Sequence, residues 1–270
     1  MDLGLKGKTA LVTAASRGFG REVARQLAAE GARVGLCARG AEDLSVAAEE
    51  VREAGQGVWD DTAGKVLARP VDVRDAEAMD AFIGRVEKEL GPIDLLLVNA
   101  GGPRAGRFFD LDDTAWQEAF ELSLASATRL CRRVLPGMME RKWGRIVQIT
   151  SVSVVQPVDN LMLSSVIRPA AHALIKVLAQ EAAPHGVTVN SVAPGFHDTS
   201  RVQDLIRQQV EQGGGSEAEV LESWTRAIPA GRLGKPEELA GLILFLMSEK
   251  AGYITGQGIV SDGGWVQKTF

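Results

Sequence analysis

A glycine-containing turn near the N-terminus is the first place where the residue types suggest chemistry. It follows the apolar run 9–12, precedes a segment whose apolar residues recur at helical spacing, and consists of Thr13, Ala14, Ala15, Ser16, Arg17, Gly18, Phe19 and Gly20. Such a turn lets backbone N–H groups and the helix N-terminus face an anion, and glycine lets the ligand approach because it has no Cβ atom. The stretch predicts a binding site for the phosphates of a dinucleotide, although a turn of this kind can also simply connect two elements.

Arginines rather than carboxylates mark the end of the second predicted strand. In NAD sites an acidic side chain at this point accepts hydrogen bonds from the ribose 2′-hydroxyl. No carboxylate occurs from Val34 to Gly40; Arg39 stands there, and Arg17 lies in the glycine turn. Two guanidinium groups suit a 2′-phosphate, which they can hold by charge-assisted contacts. NADP(H) is therefore predicted rather than NAD(H); the alternative is that both arginines are simply solvated.

Short apolar runs alternate with longer amphipathic segments along the chain. The predicted strands are residues 9–12, 33–37, 66–71, 93–98, 144–150, 187–192 and 258–260, and the predicted helices are 21–28, 41–54, 76–90, 114–139, 164–183 and 237–248. This alternation predicts an α/β fold with a Rossmann-like, doubly wound parallel sheet covered on both faces. No linker, repeat or low-complexity segment divides the sequence, so residues 1–270 are predicted to form a single domain.

Composition narrows the class of protein. The chain has 270 residues, is 45% hydrophobic and carries a formal net charge of −5 without a long basic block, so a nucleic acid or an anionic membrane is not a predicted partner. No apolar run approaches the ~20 residues of a membrane span, and residues 1–8 lack a signal-peptide core. Cys37 and Cys131 have no metal-ligand spacing and are predicted to be reduced thiols. We expect a cytoplasmic protein without a metal.

With these elements placed, the chain resembles the short-chain dehydrogenase/reductase family over about residues 5–264, and within it the ketoacyl-carrier-protein reductases. The glycine turn is similar to the family motif Thr-Gly-x-x-x-Gly-x-Gly, with Ala14 at the first glycine. Further matches are Asp72-Val73, Asn99-Ala100-Gly101, Pro194-Gly195 with Thr199, and the C-terminal segments 231–238 and 253–264. The resemblance implies that the first pair contacts adenine, that Pro194-Gly195 lies beside the nicotinamide, and that these residues together bind the dinucleotide.

The resemblance also implies a catalytic set, from which this sequence departs. The family uses an Asn, a Ser and a Tyr-x-x-x-Lys pair, and Ser151 matches the Ser. Counting forward without gaps places Ser164 at the Tyr position and Arg168 at the Lys position, while Ser123 stands at the Asn position. The only tyrosine, Tyr253, lies in the C-terminal signature. Ser151, Ser164 and Arg168 are the predicted catalytic residues, and Arg168 is also a predicted ligand of the nicotinamide ribose.

These replacements change the expected proton chemistry. An aliphatic hydroxyl is a much weaker acid than a phenol, Arg168 cannot exchange protons, and loss of a positioned general acid costs a factor of about 10² to 10⁴. The proton would come from Ser164 through a water or from His197; alternatively, His197 is a solvent-exposed lid residue. Arg168 would bind the ribose, polarise an oxyanion or bind a substrate carboxylate. Pro169 removes a helix N–H and is expected to reshape the helix start.

Other segments suggest a lid and an assembly. Residues 196–232 are predicted to form a helical, mobile lid over an apolar pocket. Residues 60–65 look like a surface insertion without an assigned role. The helices 114–139 and 164–183 resemble those through which relatives form dimers and tetramers, so a homo-oligomer is expected, a homotetramer above all. His172 on the second of these helices is predicted to be a core or interface residue, and His185 a solvated one.

Three hypotheses follow. The first is an NADP(H)-dependent oxidoreductase with an atypical active site, which reduces a small carbonyl compound or oxidises an alcohol through a non-standard proton relay. The second is a non-redox, lyase-like enzyme that keeps the nucleotide site. The third is a catalytically inactive NADP-binding regulator. All three predict nucleotide binding, and the first is favoured.

Overall fold

The computed structural model describes residues 2–59, 65–211, 213 and 215–268, and its centre is one parallel sheet. The strands are β1 (Thr9–Val12), β2 (Arg33–Ala38), β3 (Val66–Pro70), β4 (Leu95–Val98), β5 (Gly144–Ile149), β6 (Val187–Pro194) and β7 (Gly258–Ser261). They lie in the order β3-β2-β1-β4-β5-β6-β7, and every neighbouring pair is parallel. The order reverses between β1 and β4, which confirms the predicted doubly wound, single-domain α/β fold.

Helices cover both faces of the sheet. They are α1 (Gly18–Ala29), α2 (Ala41–Ala54), α3 (Ala76–Leu90), α4 (Asp113–Phe120), α5 (Ser126–Glu140), α6 (Met162–Ala182), α7 (Ser200–Glu211), α8 (Glu217–Ala227) and α9 (Pro236–Met247). One apolar cluster joins the sheet to α1, α2 and α9, and a second joins it to α3, α5 and α6. Alternate strand residues enter opposite clusters, as Leu96 and Leu97 of β4 do. Because both faces are covered, the central strands are continuously apolar in sequence.

The helix predicted over residues 114–139 is divided in two. A wide, π-type turn at Glu121–Ala125 separates α4 from α5. In this region the hydroxyls of Ser126 and Thr128 donate to the carbonyls of Leu122 and Leu124, at 2.6 and 2.9 Å. Such back-bonding competes with the regular helical pattern, and wide turns of this kind often occur at functional sites. The spacing of apolar residues does not predict this turn, because a π-type turn adds only one residue to the helical repeat.

Helix α6 starts earlier than predicted and is continuous. It begins at Met162 and runs through Pro169 without a break, so the expected reshaping of its start is wrong. Residues 162–185 are the one segment of the described chain that is long and apolar enough to cross a membrane. Ile175 and Ala179 lie in the core against the sheet, whereas Val166 and Val177 are half-exposed on the outer side. The apolar composition of α6 therefore reflects core packing on one side and an apolar outer face on the other.

The turn between β1 and α1 is fastened to the end of β4. The Thr13 hydroxyl contacts Leu97 O at 3.2 Å and Asn99 O at 2.7 Å, and it accepts from Asn99 N at 3.0 Å. The Asn99 side chain donates to Ala14 O at 3.2 Å. A Cβ atom on Gly20 would lie 2.5 Å from Ala14 O, so only glycine allows α1 to start this close to the turn. The loops after β1 and β4 are thus held as one unit.

Ala14 has a left-handed backbone conformation, with φ of +49°. This conformation costs a residue with a Cβ atom about 1–2 kcal/mol, and glycine adopts it without strain. We expect Ala14→Gly to raise the free energy of unfolding by up to about 1 kcal/mol, because the strain relieved exceeds the entropy that glycine adds to the unfolded chain. Urea denaturation measures the change. Lys142→Gly, at φ of +56° on the opposite side of the sheet, is the matched control and should also stabilise the fold; a gain only there would contradict strain at Ala14.

Two further glycines, one in β2 and one in α3, are predicted to respond to alanine in opposite directions. A Cβ atom on Gly35 of β2 would lie 2.6 Å from Val86 Cγ2 of α3, whereas one on Gly84 of α3 would meet nothing within 4 Å. We expect Gly35→Ala to lower the free energy of unfolding by about 1–3 kcal/mol through overpacking. Gly84→Ala should raise it by roughly 0.5–1 kcal/mol through helix propensity. Equal effects of the two substitutions in denaturant titrations would contradict this packing.

Candidate active site

A cleft of about 890 Å³ opens at the carboxyl ends of the central strands. Its walls include Ala14 after β1, Arg39 after β2, Asn99 after β4, Ser151 after β5 and Gly195 after β6. In doubly wound sheets ligands bind at this edge, where the strand order reverses, and small-molecule sites typically measure about 300–1,000 Å³. The cleft is therefore the candidate active site.

Most of the predicted site residues line this one cleft: Ser16, Arg17, Gly18, Phe19, Arg39, Asp72, Val73, Asn99, Ala100, Gly101, Ser151, Ser164, Arg168, Pro194, Gly195 and Thr199. Thr13 and Gly20 lie beneath its surface instead. Thr13 is fully buried with its hydroxyl bonded to β4, and Gly20 is packed against Ala14 O. These two residues support the turn from behind, and their predicted contact with the dinucleotide stays a prediction.

The start of α1 offers free backbone donors to the cleft. Its N-cap residue, Arg17, makes no side-chain capping bond, and no acidic residue lies in its first turn. By contrast, the Asp75 carboxylate caps α3 by accepting from Ala78 N at 3.0 Å. A Cβ atom on Gly18 would meet only the Thr199 side chain, at 3.7 Å, so the approach to these amides is open. Uncapped N–H groups at a helix N-terminus are suited to a phosphate.

The two arginines predicted to bind a 2′-phosphate have different environments. Arg17 Nε donates to Asp43 Oδ2 at 2.9 Å, and this hydrogen bond raises the pKa of Arg17. Arg39 is exposed and forms no ion pair with a described residue. Asp43 lies in the first turn of α2, three residues beyond the segment 34–40 at the end of β2, so the sequence of that segment gives no sign of this partner. Arg17 is consequently not an unpaired cation, whereas Arg39 is available to an anion.

Three serines stand at the other end of the cleft. Ser151 Oγ accepts from Ser153 N at 3.2 Å, and the hydroxyls of Ser153 and Ser164 are 3.2 Å apart. Ser153 and Ser164 are buried, and Ser151 is half-buried. Because α6 starts at Met162, Ser164 lies in its first turn and faces the end of β5. Ser164, which is predicted to stand at the position of the family tyrosine, thus offers the cleft a short hydroxyl with a second serine behind it.

Arg168 lies in the floor of the cleft as a buried cation. Its side chain donates from Nη1 to Thr150 O and from Nη2 to Gly101 O at 3.3 Å. Burial, together with a smaller effect of the charge of Arg201, lowers its pKa to about 10. The guanidinium is therefore still protonated at neutral pH. It joins the loops after β4 and β5 and carries no carboxylate partner among the described residues.

A small internal cavity of about 10 Å³ lies on the far side of Arg168. Three buried polar atoms in its walls lack a hydrogen-bond partner: Arg168 Nε, Ser123 Oγ and Gln148 Oε1. A cavity of this size accommodates about one water molecule, which needs two to four polar partners of this kind. The wide turn between α4 and α5 brings Ser123 to this position, so the residue at the family Asn position still reaches the active-site floor.

Arg201 of α7 is a second arginine of the cleft, and the sequence analysis did not identify it. It packs across Gly102, on which a Cβ atom would lie 2.9 Å from Arg201 Nε. Arg201 Nη2 donates to Pro103 O at 2.8 Å, and burial lowers its pKa. The only signal in the sequence is an arginine two residues after Thr199. The tertiary structure alone places it beside Arg168, because β4 and α7 are far apart in the chain.

His197 is buried rather than exposed. It is 2% accessible, its Nδ1 lies 3.3 Å from Gly195 O, and its ring packs edge-on against Phe19 at 5.2 Å. Burial lowers its pKa, so the imidazole is neutral at neutral pH. The solvent-exposed alternative is therefore wrong, and a neutral imidazole is a weak proton donor. His172 is half-buried and contacts Ser191 Oγ at 2.8 Å, outside the cleft, while His185 is exposed.

Helix α7 borders the cleft, from Ser200 to Leu205, and packs on α8 in an apolar cluster of their own. Its members are Phe196, Val202, Ile206, Val210, Val220, Leu221, Trp224 and Leu233. The rings of Phe196 and Trp224 are 4.7 Å apart, and Trp224 Nε1 donates to Gln209 Oε1 at 3.1 Å. The helices predicted between residues 196 and 232 are thus present and packed against each other. The predicted surface insertion, except for Lys65, lies outside the described residues.

The chain is similar to many known proteins over nearly its whole length. The family model described as enoyl-(acyl carrier protein) reductase matches residues 13–266. A 2-keto-3-deoxy-L-fuconate dehydrogenase of Xanthomonas campestris is 35% identical over 97% of this chain and 81% of its own. A 3-oxoacyl-[acyl-carrier-protein] reductase of Escherichia coli is 33% identical over 97% of this chain and 98% of its own.

Solved structures agree with these sequence matches. The L-sorbose reductase of Gluconobacter frateurii, complexed with NADPH and L-sorbose, is 33% identical, with a TM-score of 0.91 over 99% of this chain and 100% of its own. An actinorhodin polyketide ketoreductase with NADPH is also 33% identical, with a TM-score of 0.90 over 97% of this chain and 98% of its own. Together with the parallel sheet and the cleft at its switch point, these similarities show that the chain belongs to the short-chain dehydrogenase/reductase family of oxidoreductases and resembles its ketoacyl reductases.

Proposed function

We propose that the protein is an NADP(H)-dependent oxidoreductase that reduces a small carbonyl compound, or oxidises the alcohol, without the Tyr-x-x-x-Lys pair. The observation that carries this proposal is the single cleft, which joins a phosphate-binding turn at one end to Ser151, Ser164 and Arg168 at the other. The similarity to reductases crystallised with NADPH supports the choice of cofactor. The family mechanism would require a phenol that this cleft lacks among its lining residues.

The residues present fit the dinucleotide. The uncapped amides at the start of α1 suit its pyrophosphate, and the open space at Gly18 leaves room for the approach. Arg39, with Arg17, would hold the 2′-phosphate, and Asp43 would exchange its contact with Arg17 for one with solvent. Asp72 is fixed by Arg74 at 2.7 Å, so its carboxylate is oriented before a ligand arrives.

The chain's own groups would bind and polarise the carbonyl. A reduced nicotinamide, when bound, supplies the hydride. Ser151 and Ser164 can donate hydrogen bonds to the carbonyl oxygen, and the fixed charge of Arg168 stabilises negative charge that develops there. Ser164 is favoured over His197 as the last member of the proton path, because the imidazole is neutral and buried against Phe19. Ser164 would deliver the proton through a water in the cleft, and the buried Ser153 hydroxyl, 3.2 Å behind it, would orient the Ser164 hydroxyl.

The proposal also includes a moving lid and a homo-oligomeric assembly. Because α7 and α8 pack mainly on each other, we propose that residues 196–232 move as one lid over the cleft. The exposed apolar side chains of Val166 and Val177 on α6, and of Phe120 at the end of α4, are suited to contact with another copy of the chain. We therefore propose a cytoplasmic homo-oligomer, a homotetramer above all.

Nucleotide selectivity tests the cofactor assignment. We expect Arg39→Ala to weaken NADPH binding by roughly tenfold while leaving NADH binding unchanged, since a charge-assisted contact to the 2′-phosphate contributes about 1.5–3 kcal/mol. Calorimetry or fluorescence titration measures both constants. Arg52→Ala is the matched control, because Arg52 lies on α2 outside the cleft and pairs with Glu49. Parallel losses for both nucleotides would contradict a 2′-phosphate site at Arg39.

Turnover tests the redox assignment. With ketones, ketoacyl thioesters and alcohols, we expect slow changes in nicotinamide absorbance. The double substitution Ser164→Tyr with Arg168→Lys should accelerate them by about 10² or more, because it restores a positioned general acid. Adding Ser151→Ala should remove that gain, since the carbonyl would lose its second hydrogen bond. Tight NADPH binding without turnover in either form would instead favour the non-redox enzyme or the inactive regulator.

A further inference from the structure

Two guanidinium groups share one short loop of the cleft. The loop is Gly101–Pro103, directly after β4 and its Asn99-Ala100 turn. Arg168 donates to Gly101 O from one side at 3.3 Å, and Arg201 donates to Pro103 O from the other at 2.8 Å. Gly102 lies between these two contacts, and a Cβ atom on it would come within 2.9 Å of Arg201 Nε. The loop therefore brings both cations to the catalytic end of the cleft, near enough for the charge of Arg201 to act on Arg168.

Neither cation has a carboxylate partner within ion-pairing distance among the residues that the structure describes. Arg168 is 9% accessible, and its terminal nitrogens donate to the backbone carbonyls of Thr150 and Gly101. Asp204, the acid whose charge bears on Arg201, pairs with Arg207 instead. Burial of like charges without an acid is costly, and the cost is offset when an anion binds between them. The protein keeps this uncompensated charge at the place where substrate must enter.

The dinucleotide phosphates have their own donors elsewhere. The turn at residues 14–20 and the start of α1 lie at the ends of β1 and β2, whereas Arg168 and Arg201 grip the loop after β4 beside Ser151 and Ser164. The anion for the arginine pair is therefore a different group from the pyrophosphate. A planar carboxylate matches the fork of a guanidinium better than any neutral oxygen does.

We propose that Arg168 and Arg201 form a carboxylate-binding subsite, so that the substrates are hydroxy acids or oxo acids rather than neutral sugars or ketones. This inference rests on the proposed function for the identity of the reacting group. The binding of a carboxylate by the two arginines does not depend on that reaction. Arg201 is the specificity-determining residue, because it lies on the lid helix α7 and brings its charge to the substrate side. Arg168 is fixed in the floor and supplies the second charge.

Binding to the NADP⁺ complex tests the subsite without requiring turnover. The probes are levulinate, pyruvate and benzoate, each compared with its amide at equal ionic strength by calorimetry and thermal unfolding. We expect the acids to bind and stabilise the complex and the amides to bind at least roughly tenfold more weakly, as the loss of a charge-assisted contact predicts. Inorganic phosphate is included as a competing anion.

Variants of the lid assign the effect to its residue. Arg201→Met should lower the affinity for the acids by roughly tenfold or more, and Arg201→Lys should restore part of it. Arg226→Met is the control, because Arg226 lies on the neighbouring lid helix α8, exposed and paired with Glu222. NADPH affinity should stay within about twofold in all three variants, since the pyrophosphate donors are unchanged.

Four outcomes would overturn the inference: equal binding of acids and amides, no binding of any acid, tighter binding of phosphate than of the acids, or a loss of NADPH affinity in Arg201→Met that matches the loss for acids. The last would assign the pair to the cofactor. Acid binding that depends on Arg201, together with NADPH binding but no turnover, would leave the subsite intact and overturn the redox function instead. The two proposals therefore fail separately.

Discussion

The hydrogen bonds between the loop after β4 and its neighbours hold the whole site together. Thr13 and Asn99 join that loop to the turn after β1. Two residues further on, Gly101 accepts from Arg168, which also reaches Thr150 after β5. The next contact, from Arg201 to Pro103, brings in the lid. One loop thus fixes the relative positions of the phosphate turn, the serines and the lid, and small shifts in it would disturb all of them together.

The exchange of a phenol and an amine for a hydroxyl and a guanidinium changes what the site floor can do. A lysine can adjust its protonation, whereas Arg168 stays charged even with its pKa lowered to about 10. In the proposed function, Arg168 would therefore supply electrostatic stabilisation and positioning rather than a proton. Ser123, brought inward by the wide turn between α4 and α5, and Gln148 complete the polar surroundings of Arg168. In the proposed function, proton delivery would fall to hydroxyls, which is why we expect slow turnover.

Buried charge is the common theme of the remaining features. Arg168 and Arg201 carry their charges with backbone carbonyls as partners, and Gly102 is the residue that lets Arg201 approach. For His197, in contrast, burial lowers the pKa, so the imidazole is neutral. An arginine cannot respond in that way, so its charge remains for a ligand to compensate. This difference separates the packing of His197 from the binding role that we propose for the two arginines.

Local sequence determined the elements and most of the cleft. Apolar runs and helical spacing act between neighbours in the chain, so they predict the strands, the doubly wound order and the glycine turn, while matching motifs place Asp72, Asn99 and Thr199 at one edge of the sheet. The tertiary structure alone decided the contacts between distant segments: the partner of Arg17, the burial of His197, the support given by Thr13, and the meeting of Arg168 with Arg201. Contacts between side chains of different loops depend on the order of the strands and on the distance between the loops. The spacing of residues within one segment contains no information on that distance.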